Sequence, residues 1–248
     1  ADLIYIPAVA QTTGSGTSHW KTDLYLTNVD EVAIDVAMVY LPSGLASNAG
    51  FFTDRTYWLG GREEDGFGFI DETLKDIPPN GTVVLRDLVG EYWVDQAGLN
   101  GLGAMIVFAY EADTLEDDGT RVYRNAIANA RIFNDTMRWE RDPNGHGFVE
   151  VPGSYGQGMP GVPWYNLADP AAIGEGFHFT FMILDGREET PDSRYNLRVL
   201  NASDPQTQIT VALEAFQANG EPYEDEDGDP LVTLQTVPIL AHLQWYRA

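Results

Sequence analysis

The chain has 248 residues, of which 44% are hydrophobic and 12% aromatic, enough to bury the core of one large all-β domain or two smaller ones. Lys+Arg 14 against Asp+Glu 38 gives a formal charge of -24, which repels phosphate backbones and anionic membranes, so we expect no nucleic-acid partner. The absence of cysteine excludes disulfides, thiolate metal sites and thiol catalysis. No run approaches the roughly 20 apolar residues that cross a bilayer, and we expect no membrane insertion.

Short segments rich in Val, Ile, Tyr, Phe and Thr, bounded by Gly, Pro, Asn or Asp, recur along the chain. This pattern predicts strands joined by turns. In chain order the predicted strands cover residues 3–9, 22–27, 33–41, 81–88, 104–111, 122–133, 146–151, 176–184, 195–200, 208–217 and 230–237. The best helical candidate, residues 87–97, contains Gly90. The chain is therefore predicted to be all-β and built as antiparallel sandwiches.

An internal repeat organises these strands. Residues 22–28, the strand at 33–41 and the turn at 42–44 are echoed by residues 195–201, 208–216 and 218–220, and residues 77–85 align with 237–245. The repeat predicts two Ig-like β-sandwich lobes. Residues 1–145 would form the first lobe, and residues 146–248 a linker and a second, shorter lobe, with residues 153–161 as the extended linker.

The second copy is predicted to be incomplete, because nothing in it corresponds to the first copy's strands at 104–111 and 122–133. A sheet that lacks strands leaves an edge of unpaired N–H and C=O groups. The chain could continue beyond Ala248, a local segment such as residues 3–9 could fill the gap, or another copy could supply a strand. Candidate assembly residues are Leu3, Ile4, Tyr5 and Ile6 in the donor strand and Leu240, Leu243 and Trp245 in the acceptor lobe.

Two groups of short motifs resemble a recurrent module of secreted proteins from acidobacteria and similar environmental bacteria. They lie at residues 5–10, 14–17 and 20–28, and again at 153–160, 194–197 and 200–201. The resemblance implies two Ig-like lobes, often beside proteases or other exported domains, a second lobe running further than Ala248, and no assigned catalytic residues. The first residues, without an initiator Met, fit removal of a signal peptide or trimming. We expect a secreted protein, extracellular or at the cell surface.

The densest acidic loop covers residues 224–229, and its candidate metal ligands are Asp225, Asp227 and Asp229. Ca²⁺ takes about six to eight oxygen ligands, and carboxylates beside a Gly turn can supply them. The alternative is a solvated hairpin tip whose charges discourage edge pairing. Ca²⁺ is thus a candidate ligand, and no cofactor is predicted to be required.

The other residue types that could form a functional site show weaker patterns. The four histidines have no zinc-site spacing and the serines form no Gly-x-Ser-x-Gly elbow, so we predict no enzyme. A carboxylate pair assembled only in space stays an open alternative. Trp164 and Tyr165 fall in a predicted loop and could stack on sugars. Asn-x-Ser/Thr triplets occur at Asn80, Asn134 and Asn201, where glycans could attach.

These patterns together predict a non-enzymatic secreted structural or interaction protein. Its expected partner is a further copy of itself, joined by edge-strand complementation into an extracellular filament or surface layer. The alternative is a carbohydrate-binding or adhesion module, with glycans as partners and Ca²⁺ as a candidate requirement.

Overall fold

A computed structural model of the chain describes residues 1–13, 19–43, 50–115, 121–141, 148–166, 196–200, 209–214, 217, 219, 221–224, 228–230, 232–237 and 242–246. The strands in these ranges are β1 (Leu3–Ala10), β2 (Thr12–Thr13), β3 (His19–Asn28), β4 (Ile34–Pro42), β5 (Trp58–Gly60), β6 (Phe69–Ile70), β7 (Thr82–Leu85), β8 (Leu102–Leu115), β9 (Arg121–Tyr123), β10 (Ala126–Arg141), β11 (Phe148–Pro160), β12 (Val162–Pro163), β13 (Asn196–Leu200), β14 (Ile209–Glu214), β15 (Val232–Val237) and β16 (His242–Tyr246). The short helices are α1 (Gly50–Thr53), a π-helical segment at Val89–Val94, and 3-10 turns at Arg55–Tyr57, Glu63–Asp65, Glu72–Leu74 and Trp164–Asn166.

Two sheets face each other. The larger has the order β12-β1-β8-β4-β5-β6, with β9 also beside β8, and the smaller has the order β11-β10-β3-β2, with β7 also beside β3. The pairs are antiparallel except β5–β6. The predicted all-β sandwich class is therefore confirmed for the described residues.

The core between the sheets follows from strand periodicity. In β3, Leu24 and Leu26 point inward and are buried, while the residue that follows each of them, Tyr25 and Thr27, is only partly buried. The first three inward positions of β10 are alanines, and these small side chains leave room for the facing sheet. Alternation of buried and exposed positions is what a strand with one wet face requires.

The larger sheet is buried on both faces. All nine residues of β4 are buried, which a strand with one solvated face would not show. A second apolar cluster, separate from the core between the sheets, contains Val39, Leu41, Ala104 and Ile106, and Trp58 packs against it. Trp58 in turn stacks between Phe67 and Phe108, with ring centroids 5.5 and 5.6 Å away.

The helix predicted at 87–97 is shorter than expected. Only Val89–Val94 is helical, and the Asp95 N–H donates to the Gly90 carbonyl, which is π-type spacing. Asp87 has a φ of 47°, so it cannot lie inside a right-handed helix. The segment instead buries Trp93, whose ring stacks on Tyr40 at 5.0 Å.

The linker predicted at residues 153–161 is wrong, because most of it lies in β11. This strand pairs with β10 without a register shift from Arg141↔Phe148 to Asn129↔Pro160. The following strand, β12, pairs with β1. Glycine and proline at alternate positions look like linker composition, but both residues are tolerated where a strand's outward side has no ladder partner. The division into residues 1–145 and 146–248 stays a prediction.

Later strands form two separate antiparallel pairs, β13–β16 and β14–β15. Their register bears on the repeat. Leu24 pairs with Leu85 in β3–β7, and the residues aligned with them, Leu197 and Trp245, pair in β13–β16. The Ig-like repeat remains a prediction, which this shared register supports. The strand predicted at 176–184 lies outside the described residues.

Candidate functional site

The predicted calcium loop is described only at its ends. Glu224 forms a β-bridge with Pro230, and Asp229 lies exposed between a bend and that bridge. Asp225 and Asp227 lie outside the described residues. Within the described part of the chain, no three His, Asp or Glu side chains converge as metal ligands. Calcium binding therefore stays a prediction.

The predicted donor strand is held by its own chain. Ile4 and Ile6 are buried and lie opposite Val107 and Met105 of β8. Leu3 and Tyr5 are partly buried and pack on the second apolar cluster, and burial raises the pKa of the Tyr5 hydroxyl. In this structure, exchange of β1 into another copy would first have to break these pairs.

The acceptor residues lie in a different place. Leu243 and Trp245 belong to β16, where they lie opposite Val199 and Leu197 of β13. Leu240 lies outside the described residues. The structure therefore brings the two described acceptor residues together in one strand, apart from the donor residues in β1.

Of the three Asn-x-Ser/Thr sites, only one can be seen to be accessible. Asn80 is exposed at a turn with a φ of 60°. Asn134 is fully buried, and its Oδ1 accepts a hydrogen bond from the His19 N–H. Asn201 lies outside the described residues.

The edge of the smaller sheet at β11 is the longest strand edge that no described strand covers. Among the strands that the structure describes, β10 alone pairs with β11, which runs for 13 residues. Ser154, Gly156, Gln157, Gly158 and Pro160 are all exposed. Long uncovered edges are sites where another strand can pair.

The direction of the β11 backbone groups follows from its neighbour. The Gly161 N–H donates to the Ala128 carbonyl at 2.9 Å, so this opposed pair is hydrogen-bonded. Hydrogen-bonded and non-bonded pairs alternate along an antiparallel ladder, and the register has no shift. Odd-numbered residues of β11 therefore bond to β10, and even-numbered residues point their N–H and C=O groups outward.

The outward positions from 152 to 160 are Pro152, Ser154, Gly156, Gly158 and Pro160. The two prolines have no N–H and so bound a run of three outward donors, hereafter the window; the outward N–H groups of Phe148 and Glu150 lie beyond Pro152. From Val151 to Val162 the chain carries no charged residue, although charges are a common means of blocking edge pairing. The window is thus an unblocked edge in a strongly acidic protein.

Sequence reasoning missed this edge. Its signal was the recurrence of Pro, Ser or Gly at every second position from 152 to 160, which has the period of a strand. That signal becomes readable only when the neighbour β10 shows which of the two alternating sets points outward.

An exposed aromatic pair lies close to the start of the chain. Trp164 is 51% and Tyr165 61% exposed, and their ring centroids are 5.9 Å apart in an edge-on arrangement. The Trp164 Nε1–H donates to Asp2 Oδ1 at 3.0 Å, which orients the indole. Both rings are open to solvent, in the 3-10 turn Trp164–Asn166 where a loop was predicted.

Elsewhere, acidic side chains are bound to arginine. Arg62 contacts the carboxylates of Asp35, Asp76 and Asp113, and its hydrogen bond to Asp35 raises the pKa of the guanidinium. Tyr110 donates to Asp65, and burial is the main cause of its raised pKa. These clusters have their charges internally paired, as structural ion pairs do.

No family model, curated protein or solved structure matches this chain. In the described residues, no helix has the length and apolar character needed to span a membrane. The fold class and the β11 edge are therefore the observations on which a function can be based.

Proposed function

We propose that this chain is a non-enzymatic, secreted structural or interaction protein that self-associates through the edges of its sheets. The observation that carries the proposal is the edge of β11, which no described strand covers and which is uncharged from Val151 to Pro160. Backbone hydrogen bonds to a second strand would supply affinity there, as in other strand-addition interfaces. Assembly into a filament or surface layer requires a second contact, for which the paired strands β13–β16 and β14–β15 are the candidates.

The open edge supports β11 better than β1 as the pairing strand. Pairing at β11 exposes no core, whereas donating β1 would uncover Ile4 and Ile6, which are 2% and 0% exposed. Removing a strand from a core costs the burial of each apolar side chain, about 1.5–3 kcal/mol each. Association by addition is therefore the less costly route.

The test is the association state of the full chain. Sedimentation velocity over a concentration series, with electron microscopy of the same samples at moderate salt, should show dimers or regular polymers. A parallel series with a chelator separates metal-dependent from metal-independent assembly. A chain that remains monomeric and dispersed over the whole series would overturn the proposal.

A second candidate function is binding of neutral sugars, which the exposed Trp164 and Tyr165 rings favour. Aromatic faces stack on the apolar faces of sugar rings, and the acidic chain would discriminate against anionic glycans. A glycan array with and without chelator should report binding that Trp164→Ala abolishes. Unchanged binding in that variant, or none in the unmodified chain, would count against this candidate.

A further inference from the structure

We propose that β11 pairs with β11 of a second copy, antiparallel and about a two-fold axis at Gly156. This inference rests on the proposed self-association and names its partner, strand and register. The result would be one continuous sheet in which the two β11 strands lie at the centre. Interfaces of this kind are isologous, with the same residues on both sides.

The first step is the spacing of the two prolines. Pro152 and Pro160 both lie on the outward set, each four residues from Gly156. In an antiparallel pair centred on Gly156, residue 152 lies opposite residue 160 of the other copy. Two positions without an N–H then face each other, so neither proline leaves the carbonyl of a non-proline residue without a donor.

The second step is the set of bonds that this register allows. Gly156 lies opposite its own counterpart, and Ser154 lies opposite Gly158 in both halves of the interface. Each opposed pair can exchange two N–H···O bonds. No other register places proline opposite proline at both ends, because shifting the axis to another residue of the outward set sets at least one proline opposite a residue whose C=O then has no N–H to accept from.

The third step is charge and shape. The formal charge of -24 opposes contact between two copies, but residues 151–162 contribute no charge to this edge. Arg131 of the neighbouring strand β10 donates to Ser154 Oγ at 2.9 Å and lies over the Phe133 ring. Two of the three outward donors belong to glycines, so few side-chain atoms flank the window. A second copy can therefore approach here with less repulsion and little steric obstruction.

The first test removes one outward donor. Gly158→Pro deletes an N–H that does not bond to β10, and a Cβ at this position meets nothing within 4 Å. Its matched control, Gly158→Ala, keeps the N–H. By symmetry the proline variant loses two interchain bonds, each worth about a factor of five, so the dimer should weaken roughly 25-fold while the control is unchanged. Thermal unfolding of both variants checks that the fold is retained.

The second test reads the register directly, because the chain has no cysteine. Ser154→Cys and Gly158→Cys chains are prepared separately and oxidised alone or mixed. The proposed axis places residue 154 about 5.5 Å from residue 158 of the other copy, within disulfide reach. It places identical residues roughly 14 Å apart, so only the mixture should give crosslinked dimers.

The outcomes separate the two levels of the proposal. A chain that associates, yet gives no mixed crosslink and keeps its affinity in Gly158→Pro, would overturn the β11 pairing and leave self-association standing. Crosslinks in one variant alone would overturn the axis at Gly156. A chain that is monomeric throughout would overturn both.

Discussion

In the part of the chain that the structure describes, Asp23 and Asp35 are fully buried, and each is neutralised in the same way. Asp23 accepts from Arg86 and from the backbone N–H of Asp87, and Asp35 accepts from Arg62 and from the N–H of Asp76. Both N–H donors belong to aspartates with positive φ. A buried carboxylate is tolerated only when it is paired and hydrogen-bonded, and these turns supply the second partner.

Replacing Arg62 should be strongly destabilising. The Arg62→Leu variant leaves Asp35, whose side chain is 1% exposed, without its cation, which costs about 3–5 kcal/mol of unfolding free energy. Urea unfolding measures the loss. The control is Arg55→Leu, because Arg55 is exposed and lies over the Trp58 ring at 5.6 Å; it should cost less than about 1 kcal/mol. Equal losses in both variants would contradict the assignment.

Asp87 should make the protein less stable as pH rises. Burial raises the pKa of its carboxyl above the ordinary value, with Lys21 opposing the shift. A raised folded-state pKa means that the folded chain binds this proton more tightly than the unfolded chain does, so unfolding free energy falls as pH rises from about 4 through the folded pKa. Urea unfolding of the unmodified chain between pH 3 and pH 8, in steps of about one pH unit, should include this fall in unfolding free energy.

The Asp87→Asn variant isolates that component. Asparagine also adopts positive φ, so the turn is kept while the titrating group is lost. The variant should therefore gain stability relative to the unmodified chain as pH rises. A difference between the two chains that stays constant over the whole pH range would show that Asp87 does not titrate differently on folding.

At the scale of elements, the two sheets are joined along one seam. The Ala1 N–H group donates to the Ala126 carbonyl and the Gly161 N–H to the Ala128 carbonyl. Both acceptors lie in β10 of the smaller sheet, while Ala1 leads into β1 and Gly161 into β12 of the larger one. The alanines at the first three inward positions of β10 leave room for this contact.

Adding one methyl group at the seam should be costly. In Gly161→Ala the new Cβ would lie 2.4 Å from the Ala128 carbonyl oxygen and 2.5 Å from Ile4 Cγ2, so backbone must shift, at about 1–3 kcal/mol. Gly158→Ala, in open space, should change stability by less than about 0.5 kcal/mol. Thermal or urea unfolding of the two variants measures the difference in stability. Equal stability of both would show that the backbone at the seam accommodates the added methyl group without cost.

Most strand centres were predictable from the sequence, because β1, β3, β4, β8 and β10 each carry several β-branched or aromatic residues between turn signals. The short strands β5, β6 and β12 were not. Their two or three residues pair only because β4, β5 and β1, respectively, offer a ladder partner. No local pattern encodes a partner that is distant along the chain.

At the scale of the whole molecule, the folding unit should extend past residue 145. Because β11 and β12 hydrogen-bond to β10 and β1, a fragment of residues 1–166 should unfold cooperatively in urea. A fragment of residues 1–145 lacks both strands and should be markedly less stable or unfolded. Circular dichroism and urea titration compare them. Equally cooperative unfolding of the two fragments would support the predicted boundary at residue 145.

Self-association should strengthen with salt. Two copies of a chain with a charge of -24 repel each other, and salt screens that repulsion, with a Debye length of about 30 Å at 0.01 M falling to about 8 Å at 0.15 M. Backbone pairing at an uncharged edge is not itself weakened by screening. Sedimentation at both ionic strengths should show more dimer at the higher one. A dimer that dissociates on raising the salt would indicate an ionic interface instead.

The sequence by itself determined the all-β class of fold, through its turn-bounded β-branched segments; that its acidity disfavours nucleic acid stays a prediction. It could not determine which segment pairs with which, because a ladder joins residues far apart in the chain. For the same reason it misassigned residues 153–161, whose glycines and prolines look like a linker in isolation. Only the tertiary structure, by placing β10 beside them, decided that every second residue of β11 points its backbone groups outward.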